Sequence, residues 1–162
     1  MHTRIVFGIA LTVVALAGSI TLLGCGSAAK PAPAAAATKL AATTCKNQYL
    51  AWRSGPAQNS LSQFTAAQKS LSAAGSTENL QEITAAVEDE GQAASNLAAF
   101  PVPACADPHG YLAALLTQVR TAAANAATAT NLSGLVQAME PLNQVPALES
   151  DFTAEVKRTT GI

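Results

Sequence analysis

Phe100-Pro101-Val102-Pro103-Ala104-Cys105-Ala106-Asp107-Pro108-His109 is the stretch that decides the fold. Pro101 and Pro103 lack backbone donors and push the residues before them toward extended backbone, so a helix arriving from the N-terminal side must stop before Phe100. Asp107-Pro108 is the opposite signal, a capping carboxylate followed by proline at the first helical position. The stretch therefore reads as a hinge between two helices, and it carries a cysteine. The remaining elements can be placed outward from it.

Immediately upstream, Leu80, Ile83, Val87, Ala94 and Leu97 recur at helical spacing. Ser76 or Thr77 is the expected cap, with Glu78 in the first turn where the helix dipole favours an acid. Gly91 weakens the middle of this helix by roughly 1 kcal/mol relative to alanine. Further upstream, Tyr49, Trp52, Leu61, Phe64 and Leu71 mark one face of a helix running from about Lys46 to Ala74. Ser54-Gly55-Pro56 interrupts it, with Pro56 suited to the first turn of the restart and Gly75 to a left-handed stop.

Downstream of the hinge, Leu112, Leu115, Val119, Ala122 and Ala126 give a third helix, ending near Thr128. Asn131 opens a fourth, carrying Leu132, Leu135, Met139, Leu142, Leu148, Phe152 and Val156. Pro141 and Pro146 should bend or break it, and Lys157 and Arg158 sit near its C-terminus, where cations are favoured. No stretch alternates with a period of two over a useful length. The expected fold is all-α, an antiparallel up-down four-helix bundle with one disulfide. Its many alanines let helix axes approach to about 8 Å, which leaves little room for a large buried cofactor, and none is expected.

In such a bundle the start of the first helix and the hinge lie at one end. Cys45 precedes that helix and Cys105 lies in the hinge, so the topology brings the two sulfurs together. The same end gathers Tyr49, Trp52, Phe100, Tyr111 and Phe152. They read as bulky core or, alternatively, as a shallow ligand pocket or contact rim, since Tyr and Trp suit half-wet surfaces.

At the N-terminus, Met1-His2-Thr3-Arg4 precedes an apolar run from Ile5 that ends at Leu22-Leu23-Gly24-Cys25. A basic start, an apolar middle and a small residue before the break describe a secretory signal. The run is also close to the length of a membrane span, so an uncleaved anchor with Arg4 on the cytoplasmic side is the alternative. The quartet resembles the lipobox of bacterial lipoproteins, here of a small Ala-rich actinobacterial type. That resemblance implies that residues 1–24 are a signal peptide and that Cys25 carries a diacylglyceryl thioether with palmitate-like acyl chains. Residues 25–44 then form an Ala/Pro-rich tether, extended near Pro31 and Pro33, and residues 45–160 form the domain. It also implies a lipid-anchored protein on the extracytoplasmic face of the cell membrane, since two or more chains hold durably. With Cys25 so used, Cys45 and Cys105 remain as an even pair in an oxidising compartment.

The chemistry is thin. A formal net charge of −1 offers nothing basic enough to track nucleic acid. His109 is the one histidine beyond the signal, and Cys105, Asp107 and His109 read as disulfide, cap and exposed first-turn residue rather than as a metal site. Glu78, Glu82 and Glu88-Asp89-Glu90 make the second helix acidic. Consecutive residues point about 100° apart, so the run is expected to be a solvated face. No phosphate-binding loop, nucleophile elbow or zinc motif is found. The expected function is a non-catalytic interaction or structural module of the cell envelope with an envelope protein as partner, met at the distal loops near Gly75 and Asn131. The alternative is a small-ligand carrier or sensor using the aromatic end. An enzyme resting on His109 comes third.

Overall fold

The computed structural model describes residues 34–162, with side chains from residue 41. The signal-like segment, Cys25 and the first part of the Ala/Pro stretch lie outside the described residues. The elements are α1 (Ala34–Ser54), α2 (Gln58–Ala74), α3 (Leu80–Ala98), α4 (Tyr111–Ala126), α5 (Leu132–Ala138), a 3-10 helix (Glu140–Gln144) and α6 (Val145–Thr160). No strand occurs among the described residues. The all-α expectation holds. No helix among them is long and apolar enough to cross a membrane.

The break at Ser54-Gly55-Pro56 separates α1 from α2. A Cβ on Gly55 would lie 2.6 Å from the Ala51 carbonyl oxygen, so the turn there has room only for glycine. Pro56 stays in the turn instead of opening α2, which Ala57 leads. At its other end α1 begins at Ala34, within residues 25–44 expected to form the tether. Past Pro33 that stretch is a run of alanines, the strongest helix formers, and backbone propensity prevails there.

Three sequence signals act one step away from where they were expected. Gly75 does not stop α2 in a left-handed conformation, since its φ is −60°. The left-handed residue is instead Glu78, with φ 54°. It sits just ahead of α3, not in its first turn. Asn79, rather than Ser76 or Thr77, caps α3, its side chain accepting from the backbone N–H groups of Gln81 and Glu82. Its amide nitrogen also donates to Glu82 Oε1 at 3.0 Å, a reciprocal pairing that ties both ends of the first turn. Beyond α4, Asn131 caps α5 as expected, accepting from Gly134 N–H at 2.8 Å. Pro141 and Pro146 then divide the fourth segment into α5, the 3-10 helix and α6.

α3 packs on α2 and α4 and touches α5, while α4 also packs on α6 and α6 on α1. Leu97, Leu135, Val87 and Val119 are the largest fully buried side chains. At Gly91 α3 has no room for a side chain, because an added Cβ would overlap the Ala123 methyl of α4. The glycine that weakens α3 as an isolated helix is what lets the two backbones touch. Cys45 and Cys105 form a disulfide with Cα atoms 5.7 Å apart and 60 residues of separation. Closing a loop of that size contributes on the order of 4 kcal/mol by the chain-entropy model.

Candidate functional site at the disulfide end

Cys45, Tyr49 and Trp52 recur four and three residues apart on the buried face of α1. The Tyr49 and Trp52 rings stack with centroids 5.6 Å apart. Trp52 Nε1–H donates to the Phe100 carbonyl at 2.8 Å, fixing the start of the hinge with an indole that has no other donor to offer. Phe100 and Phe152 are partly buried against the same core. Burial pushes the Tyr49 hydroxyl above its ordinary pKa, and the Arg53 charge opposes that shift more weakly. Tyr111 stands apart, half-exposed, with its ring 5.6 Å from that of His109. The structure thus joins Tyr49, Trp52 and Phe100 directly and pairs Tyr111 with the exposed His109.

Asp107 keeps the capping role expected of it, but over a longer reach. The helix it was expected to open at Pro108 begins at Tyr111, because Gly110 adopts φ 70° and turns the chain once more. From inside this turn the buried carboxylate accepts the Tyr111 N–H on Oδ1 and the Leu112 N–H on Oδ2, both at 2.9 Å. Two donors at the positive end of α4 are satisfied by one anion, which the helix dipole favours. α6 closes the hinge from the other side, its Thr159 hydroxyl 3.4 Å from the Ala106 carbonyl. On α6, Arg158 hydrogen-bonds Glu155 and holds its carboxyl below the usual range, with a smaller contribution from the charge on His109.

Two surface clefts lie elsewhere. One, of about 190 Å³, runs between α3 and α4 and is lined by Glu88, Gln92, Ser95 and Arg120 around Gly91 and Ala123. The other, of about 510 Å³, is lined by the carboxamides of Gln118, Asn125, Gln137, Asn143 and Gln144 beside Glu140. None of the polar side chains lining either cleft is buried. Among the described residues no group of three or more His, Cys, Asp or Glu is placed to hold a metal ion. Next to the second cleft, α5 exposes Leu132 (44%) and Val136 (54%) one helical turn apart.

One residue departs from its expected environment altogether. Glu88 and Asp89 are solvated, but Glu90 is only 3% exposed and enters the core. Its Oε2 has no hydrogen-bond partner. Burial alone pushes its pKa to about 7. The signal was present in the sequence: Glu90 fills the gap between Val87 and Ala94 in the apolar rhythm of α3.

No family model, curated protein or solved structure matches the chain.

Proposed function

We propose that the protein is a membrane-anchored extracytoplasmic lipoprotein, a non-catalytic contact module of the cell envelope. The observation that carries this reading is the use of the cysteines. Cys45 and Cys105 are joined, which suits an oxidising compartment and leaves Cys25, in Leu22-Leu23-Gly24-Cys25, as the one cysteine for lipid. Within this reading α2, α3, α4 and α6 run as an antiparallel up-down bundle. The packing of α2 on α3, α3 on α4 and α4 on α6, with α6 meeting α1, supports that arrangement, as does the short connection at 75–79. The hinge and tether then face the membrane, and α5 lies at the far end. Leu132 and Val136, exposed on α5, are the apolar centre offered to an envelope protein there. No nucleic acid is involved.

Two arms test the reading. A clickable palmitate analogue should label the native protein in a bacterial host and send it into the detergent phase, and Cys25→Ser should abolish both. Labelling unchanged by that substitution would overturn the anchor. A photo-crosslinker at Val136 should give one discrete adduct in intact membranes that a crosslinker at exposed Lys69 does not. Identical adduct patterns from the two sites would overturn the distal contact surface.

A further inference from the structure

Along α3 the buried positions include Ile83, Val87, Glu90, Ala94 and Leu97, spaced four, three, four and three. Glu90 therefore occupies the place of a core side chain at the centre of the helix that packs on α2, α4 and α5. It is only 3% exposed, and its Oε2 has no hydrogen-bond partner. A neutral carboxylic acid can be tolerated in such a site, but a carboxylate needs water or partners. We propose that Glu90 makes the packing of α3 pH-sensitive: loss of its proton favours a loosened state in which the carboxylate reaches water.

No countercharge offsets this. On α3 itself, Glu82, Glu88 and Asp89 are exposed acids. α2 brings only Lys69, which is exposed, α4 brings exposed Arg120 and half-exposed Tyr111, and α5 has no titratable side chain. None of them shifts the Glu90 carboxyl, which burial alone raises from 4.5 to about 7. The packed state therefore binds a proton that the opened state releases. Stability is greatest below the lower value and falls as pH rises toward the higher one, with the packed-to-open ratio changing roughly tenfold per pH unit in that interval. Glu149 on α6 is also raised by burial, so the diagnostic is the difference between the native chain and a Glu90 variant.

The test uses the full chain in detergent micelles. Urea midpoints are measured from about pH 5 to pH 8 for the native protein and for Glu90→Gln, which keeps the shape and removes the charge. The packed-to-unfolded ratio of the native chain should fall at least tenfold more over that range than that of the variant. Parallel profiles would overturn the proposal. As a measurement independent of any variant, the Glu90 carboxyl carbon is followed by NMR with hydrogen exchange of the α3 amides, corrected for intrinsic pH dependence. Titration near neutrality accompanied by faster α3 exchange supports the device. A carboxyl that titrates in the ordinary range, or one that titrates near neutrality with α3 protection unchanged, overturns it.

Discussion

Gly91→Ala is the substitution that most directly tests the packing of α3 on α4. In an isolated helix it would stabilise, because alanine exceeds glycine by up to about 1 kcal/mol in helix propensity. In this fold the new methyl would overlap the Ala123 methyl of α4. Two carbon atoms rest about 3.5–4.0 Å apart, and a methyl group on each side has no alternative rotamer, so α3 and α4 must separate. Overpacking of this kind costs typically 1–3 kcal/mol. Set against the propensity gain, the expected net loss is about 0–2 kcal/mol. Ala123→Gly alone should cost about 1 kcal/mol through propensity. It vacates the space that the methyl introduced by Gly91→Ala would need, so the double variant should recover at least 1 kcal/mol relative to the sum of the singles. Urea denaturation followed by circular dichroism gives all four stabilities. Effects that add within about 0.5 kcal/mol would show that the two positions do not share space, and the reasoning would fail. A stabilising Gly91→Ala would refute it outright.

Three further outcomes are expected. Replacing Cys105 by serine should lower stability by roughly 2–5 kcal/mol, measured under oxidising conditions, and reductant should then leave the variant unchanged while destabilising the native chain. Glu78→Gly should raise stability by about 1 kcal/mol, since φ 54° strains a side chain that is otherwise exposed; thermal melting with Glu78→Ala as control separates relief of strain from loss of charge. Asp107→Ala should cost about 1–3 kcal/mol, because two N–H groups of α4 lose their acceptor. Amide exchange at Tyr111 and Leu112 should speed up more than at Val119.

Helix positions from α2 onward are largely legible in the sequence because apolar periodicity is a statement about burial, and burial holds the fold together. The count is not: four helices were expected, and six α-helices and a 3-10 helix are found among the described residues. The prolines mark boundaries well for the same reason they are rare inside helices. Caps are less legible. Ser76, Thr77 and Asn79 are all competent acceptors within one short loop, and which one caps depends on the path of the chain, set here by the left-handed Glu78. Asp107 is readable as an anion for α4, but the extra turn at Gly110 moves the helix start beyond it. The cysteine pairing follows from topology. Glu90 is easily taken for part of a solvated acidic run because ionisable residues are rarely buried without a partner, although its place in the four-three spacing of α3 argues for the core. The aromatic end is legible as a group, while the commitment of the Trp52 N–H to Phe100 depends on a loop conformation that periodicity does not specify.

The position of the disulfide also sets how the molecule carries load. A pull on the N-terminal side of α1, resisted anywhere beyond the hinge, enters the fold at Cys45 and crosses the sulfur–sulfur bond to Cys105. α2 and α3 lie inside the bypassed loop and bear no tension through the backbone. Without the bond, the chain from Cys45 to Cys105, a separation of 60 positions, could extend to roughly 200 Å. With it, that length is locked, and the part of α1 before Cys45 and α4 yield while the rest of α1, α2 and α3 remain within a closed ring.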